Sequence, residues 1–412
     1  MYITANRVRK MTMKGLEKKL IGLTLLLFII FECFAGPLRM VFHMAGAEFL
    51  FSIPKLFILL TQACAIILVL YYRKVTVNGI IASVTIFYLI FISMISSQPA
   101  AIFVGIWAVL PLFLGYHGAR IIMSSIKEKK TNRIIVFIFL LSCLGVICNV
   151  FFNYPWYNVS YEIAGMDVSS SQIGSSGGYT RYAGFFKSSL QASANVLIFL
   201  LYIVSTSKSK TLIIISFVFS ALVALLTISK TIFLLHIILL LYILVKVIPV
   251  KVIWRITLSC AFMFAVFTIG STNYHFNVSK DPMQVMLLAS LNDRLTNTWP
   301  EGVKTIINNG NLFFGGGVGT IGVGSKLGTG AYNPGDSMYL YLIGSGGYLL
   351  GLILLSWTFY QSTVFNNGNA CRYLSLLLIV LCLFGLSMTA PEYPFMALSM
   401  GFLINSRVYK AC

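Results

Sequence analysis

Acidic side chains are scarce in this chain. Eleven Asp and Glu stand against 30 Lys and Arg in 412 residues, and charged residues of either sign make up only 10%. A soluble globular domain carries about 25% charged residues, which excludes water as the main solvent. Histidine is rarer still, at four, and the acids stand apart from one another, so no metal-ligand spacing is present. The eight cysteines lie in or beside apolar runs or at the carboxyl end. None falls in a long polar loop, and no disulfide framework is expected. No small-residue cleavage site follows the first apolar run. The basic stretch up to Leu20 therefore reads as a cytoplasmic tail on an uncleaved first helix.

Apolar residues are abundant: 58% of the chain is hydrophobic and the mean hydropathy is +0.88. Crossing a bilayer takes roughly 20 apolar residues at helical rise. Runs of suitable length cover residues 19–36, 54–72, 77–95, 99–118, 134–152, 189–206, 211–228, 231–248, 252–270, 337–360, 372–389 and 392–406. The chain is thus expected to be all-α, one integral membrane domain over residues 1–412 with about 12 transmembrane helices. Placing the amino terminus inside puts 21 of the 30 basic residues on the cytoplasmic side and nine outside. That bias favours cytoplasmic termini over the inverse topology. The net charge of +19 is then mostly topological rather than a nucleic-acid footprint.

Two outer loops stand out by length, residues 153–188 and 271–336, and long loops in compact proteins usually carry function. The first joins aromatics to a Ser/Gly-rich centre and ends with Arg181 and Lys187 just before a span. The second opens with Asp281-Pro282, a cap and first-turn pair. Its apolar residues recur at helical spacing beside Arg294, which predicts a helix along the membrane surface. A stretch rich in glycine follows, including Gly317, Gly319 and Gly330, and reads as a mobile cover. The segment from Gly36 to Ile53 is too polar to span and reads as a surface or re-entrant helix.

Four segments then carry a resemblance: RYAGFFKSSLQASANVL (181–197), LLTISKTIFLL (225–235), NDRLTNTWPEGVKTIINNGNLFFGGGVGT (292–320) and DSMYLYLIGSGGYLLGLILL (336–355). In this order they resemble the O-antigen polymerase and ligase superfamily of bacterial envelope glycosyltransferases, and look more like its Wzy-type polymerases. The resemblance covers roughly residues 181–355; the first third matches only in hydropathy. It implies an enzyme of the cell inner membrane that works on the periplasmic face without a cofactor. The glycan would leave a polyprenyl-diphosphate carrier for a hydroxyl of the next lipid-linked repeat unit, with a chain-length regulator and a flippase as possible partners. Ligases, whose acceptor is the lipid A core, usually carry His where this chain has Asp336, so the departure favours the polymerase. From another class, the alternative is a transporter of lipid-linked glycan or small solutes.

In such a transfer, negative charge grows on the departing diphosphate and must meet a metal or fixed cations. The outer loops offer no metal cluster, which leaves arginine, whose planar fork fits phosphate oxygens and stays charged. Arg181 and Arg294 are the first candidates for diphosphate binding, Arg294 also catalytically, with Lys187 and Lys230 as helpers. Helix anchoring at lipid headgroups is the alternative role for all four. Asp336 is placed to take a proton from the acceptor hydroxyl, or to cap its helix. Gly317, Gly319 and Tyr339 complete the candidate substrate contacts. Asp293 and Glu301 read equally as ion-pair partners of Arg294, Glu392 as a cap or packing residue, and His236 and His275 as ordinary structural histidines.

Overall fold

The computed structural model describes residues 2–72, 77–125, 128–163, 166–176, 178–244, 249–270, 282–328, 335–362 and 369–405. His275, Asp281 and Gly330 lie outside the described residues. Helix α1 (Tyr2–Cys33) turns by 88° into α2 (Ala35–Met44). The polar segment after Gly36 thus leaves the direction of the first apolar run, as its composition requires. Four helices follow: α3 (Ile53–Tyr72), α4 (Val77–Ser96), α5 (Pro99–Ser125) and α6 (Lys129–Cys148). The first long loop then forms two small antiparallel hairpins, β1 (Ser160–Ile163) with β2 (Met166–Ser169), and β3 (Gly174–Ser176) with β4 (Tyr179–Arg181). Strands of three or four Ser, Gly and Tyr residues show too little periodicity to be read from sequence.

Helices α7 (Ser189–Thr206), α8 (Lys210–Leu226), α9 (Lys230–Leu244) and α10 (Val250–Gly270) precede the second loop. That loop contains α11 (Pro282–Asp293) and α12 (Trp299–Asn309), joined by a π turn over Arg294–Thr298. Helices α13 (Met338–Ser362), α14 (Asn369–Ser387) and α15 (Pro394–Ile404) close the chain. Among the described residues six helices are long and apolar enough to cross a membrane, or seven if the bent α1–α2 pair is one span. Five further apolar helices have 10–17 residues. The chain is therefore a largely helical membrane protein, and each apolar run of the sequence falls on a helix.

Helix α7 lies at the centre, buried from Gln191 through Ile203, which is why it is apolar nearly all round rather than striped. Helices α5 and α15 cross closely where Gly115 meets the carbonyl of Leu398 and Gly401 meets that of Leu112. Small residues let two backbones approach when lipid offers no hydrophobic drive for association.

Glycine has a different role in the second loop. Helix α13 is broken at Gly347, whose φ of 66° is left-handed, and the loop backbone fills the break. Gly316 N–H donates to Gly344 O at 2.7 Å, Gly317 N–H to Ser345 O at 3.1 Å, and Tyr348 N–H to Leu312 O at 2.8 Å. Backbone groups freed by a break in an apolar helix need partners inside the protein, and this loop supplies them. From the other side, Ser93 Oγ of α4 accepts the Val318 N–H at 2.7 Å, and Tyr88 OH donates to Phe314 O at 2.6 Å. The stretch 315–322 is buried throughout. Over residues 312–322 the glycine-rich segment is thus a wedge in the helical body and not a mobile cover. Below it, Leu295, Trp299, Ile306, Ile321, Leu340 and Ile343 form a small core that fixes α12 to α13.

A methyl group at Gly401 has nowhere to go, so Gly401→Ala is expected to destabilise the protein by about 1–3 kcal/mol. Nothing lies within 4 Å of the corresponding position at Gly351, and Gly351→Ala is expected to leave stability unchanged or slightly raised. Thermal unfolding of the two variants in detergent checks the contrast.

Candidate functional site

Arg181 ends β4, and its Nε donates to the carbonyl of Thr227 at 3.0 Å, while the next residue's N–H, from Tyr182, donates to Leu226 O at 3.3 Å. The last carbonyls of a helix have no partners of their own and carry its negative pole, so the C-terminus of α8 is a natural seat for this guanidinium. The cap is the only hydrogen bond of Arg181 among the described residues. The same α8–α9 turn holds Ile228 at φ 49°, a conformation that a β-branched residue rarely adopts. It then delivers Lys230 at the start of α9, within electrostatic range of Arg294 and Arg181.

Arg294 opens the π turn between α11 and α12, and such turns are frequent at functional sites. Its guanidinium is mostly buried and makes no hydrogen bond among the described residues. The nearest carboxylate is Asp336, whose Oδ2 lies 3.9 Å from its Nε. A buried guanidinium with five donors and so little satisfaction is unusual. Burial opposes its charge, while Asp336, Tyr393 and Asp293 support it. Burial likewise opposes the charge on Arg181; Tyr393 supports it, and Arg294 works against it.

Asp336 follows Gly335 in the left-handed region, with φ of 41° and 73° respectively. It precedes the first residue of α13 by two and points its carboxylate at Arg294. Ile228 and Asp336 are the two non-glycine residues with positive φ among the described residues, and both border this site. Burial raises the carboxyl of Asp336 above the ordinary range, Arg294 pulls it back, and Asp293 raises it further. Asp293 itself is exposed and held by Asn297 Nδ2 at 2.8 Å.

Arg181, Lys230, Arg294 and Asp336, from four separate segments, therefore converge, and the turn before α15 adds Tyr393, which interacts with both arginines. Tyrosine is common in this chain, with 21 copies, so nothing in the sequence singles Tyr393 out. Beside Arg181 opens a cavity of about 480 Å³ between the hairpins and the start of α7, lined among others by Ser169, Ser171, Gln172, Gly174 and Ser188.

The remaining candidates lie elsewhere. Lys187, six residues past Arg181 in the chain, faces a second group of charges, Arg39, Lys55, Glu32 and Lys326. Gly317 and Gly319 pack against the backbones of Ser93 and Ala101. Tyr339 is buried within the bundle and donates to Cys382 O at 2.8 Å. The loop aromatics form a core of their own, with Tyr154 stacked on Trp156 at 4.4 Å. His236 is satisfied between Ser220 Oγ and Ile232 O, each at 2.8 Å. Glu392 accepts the Val323 N–H at 2.7 Å. No three His, Cys, Asp or Glu side chains gather into a metal-binding group among the described residues. Compared with known proteins, the chain matches no family model, no curated protein and no solved structure.

Burial, with help from Arg39 and Lys55, pushes the Lys187 ammonium down from 10.5 to about 7. Burial pushes the Glu392 carboxyl up from 4.5 to about 7. Between 4.5 and 7 the folded protein holds the Glu392 proton that the unfolded chain releases, so stability falls as pH rises. Between 7 and 10.5 the unfolded chain holds the Lys187 proton instead, so stability recovers. A melting-temperature profile is expected to dip near pH 7. Glu392→Gln should flatten its acid arm and Lys187→Met its alkaline arm.

Proposed function

We propose that this protein is a periplasmic-face glycosyltransferase that polymerises polyprenyl-diphosphate-linked oligosaccharide repeat units into O-antigen or a related surface polysaccharide. In this reading all 12 apolar helices cross the inner membrane, both termini are cytoplasmic and the two long loops are periplasmic. The observation that carries it is the meeting of Arg181, Lys230 and Arg294 beside Asp336, with the arginine donors largely unused. Such a nest of cations suits a diphosphate leaving group.

The acceptor hydroxyl oxygen forms a bond to the anomeric carbon of the donor glycan as the bond from that carbon to the diphosphate oxygen breaks. The diphosphate keeps the electron pair and stays on its lipid, held by Arg181, Arg294 and Lys230. The hydroxyl proton passes to Asp336, whose raised carboxyl is closer in basicity to that task than an exposed aspartate. Activity is accordingly expected to decline on the acid side at a pH above the ordinary carboxylate range.

A second reading, transport of lipid-linked glycan or of a small solute, draws on the break in α13 at Gly347, since broken helices line many transport sites. Against it, the wedge of residues 312–317 occupies the hydrogen-bonding groups that the break frees.

Arg181→Ala and Arg294→Ala are each expected to abolish long-chain polysaccharide while single-unit glycan still reaches the cell surface. Asp336→Asn should slow polymerisation by about 10²–10⁴-fold. Normal chain lengths in the arginine variants contradict the proposal, and loss of single-unit glycan as well favours transport.

A further inference from the structure

The second charged group, where Lys187 lies, has no part in the site above. Helix α1 ends near Glu32, α2 brings Arg39, α3 brings Lys55 in its first turn, and the turn Val323–Leu327 brings Lys326. Glu392 lies within range of both Lys187 and Lys326. Four cations thus face two carboxylates, and both carboxylates are engaged. Glu32 Oε2 accepts from Gln191 Nε2 at 2.7 Å, and Glu392 Oε1 accepts the Val323 N–H at 2.7 Å.

Arg39, Lys55 and Lys187 are held but not satisfied. Arg39 donates one bond, to Ser169 O at 3.1 Å, and stacks 4.1 Å above the ring of Phe51, yet its Nε is buried with no hydrogen-bond partner. Lys55 lies 5.2 Å over the ring of Trp107. Neither Lys55 nor Lys187 donates a hydrogen bond or forms an ion pair within 4.0 Å among the described residues. Like charges brought together away from water repel one another more strongly than they do in water. An anion removes that repulsion. Lys187, balanced near neutrality in its absence, takes a full charge once an anion is beside it.

This group adjoins the first site along two borders. Glu392 belongs to one and the adjacent Tyr393 to the other, and Arg181 and Lys187 stand six residues apart on a single loop. We propose that Arg39, Lys55, Lys187 and Lys326 form a second anion site, which takes the diphosphate headgroup of a second lipid-linked substrate beside the first. A polymerase joins two molecules of one chemical kind, so the inference rests on the reading of the chain as a polymerase for its meaning but not for its test. Side by side, the two headgroups would present donor and acceptor glycans on the same face of the membrane.

Calorimetric titration of the full-length protein in detergent with inorganic pyrophosphate, in the presence of EDTA, tests this. Two sites per chain are expected. Arg181→Gln with Arg294→Gln should leave the second, and Lys55→Met with Lys187→Met should leave the first, each pair weakening its own site at least about tenfold. The charge-keeping pair Lys55→Arg with Lys187→Arg should retain both, and Lys187→Met alone carries the test if the double variant does not fold. A single wild-type site that is lost in Arg181→Gln with Arg294→Gln, or two sites that survive Lys187→Met and Lys55→Met, overturns the proposal. So does loss of the second site in the charge-keeping pair, which assigns these lysines to packing. Equal occupancy by phosphatidylglycerol in nanodiscs also overturns it, since bulk lipid would then be the ligand. A single wild-type site that survives Arg181→Gln with Arg294→Gln and is lost in Lys187→Met refutes diphosphate binding at the first site, and with it the polymerase reading, and leaves this site standing.

Discussion

Like charges do not gather inside an apolar protein unless the scaffold forces them together, and here Arg181, Lys230 and Arg294 are forced together. One partly buried carboxylate, Asp336, and one exposed carboxylate, Asp293, do not neutralise them. Dispersal of these side chains toward lipid headgroups would relieve the repulsion and give the two arginines more hydrogen-bond partners. That they are held in place instead is the constraint on which the functional account depends.

The holding elements are specific. The carbonyl end of α8 fixes Arg181, a π turn aims Arg294, and left-handed backbone at Ile228 and Asp336 sets the two turns that complete the site. Each of these is a local irregularity that a merely stable helical bundle has no need of. Behind them the glycine wedge fills the break in α13, and the core around Trp299 ties α12 to it, so that the elements carrying Arg294 and Asp336 are packed on one another. Packing of this kind suits preorganised stabilisation of a leaving group, which requires charges in place before the reaction begins.

Much of this was legible in the sequence because charge is so rare in it. With about nine of every ten residues uncharged and 58% of the chain apolar, each Arg, Lys or Asp at the edge of an apolar run is conspicuous, Arg181, Arg294, Lys230 and Asp336 among them. What sequence lacks is direction. Lys187 is as conspicuous as Arg181, but the turn between them sends the two side chains to different charge groups. Gly317 and Gly319 have the composition of a mobile loop, yet their backbones close against α4 and α5, contacts made between residues more than 200 positions apart. Tyr339 lies three residues after Asp336, and its place on the helix turns it into the bundle. The hairpins and Tyr393 left no signal above their surroundings.

The central claim is that the arginine pair exists to hold a diphosphate. Its most direct test is the affinity of the purified protein for a short polyprenyl diphosphate in EDTA, compared among the wild type, Arg181→Gln and Arg294→Gln. Removal of a charge-assisted partner is expected to weaken binding by about 1.5–3 kcal/mol in each variant, roughly ten- to a hundredfold. Equal affinities across the three proteins would contradict the account.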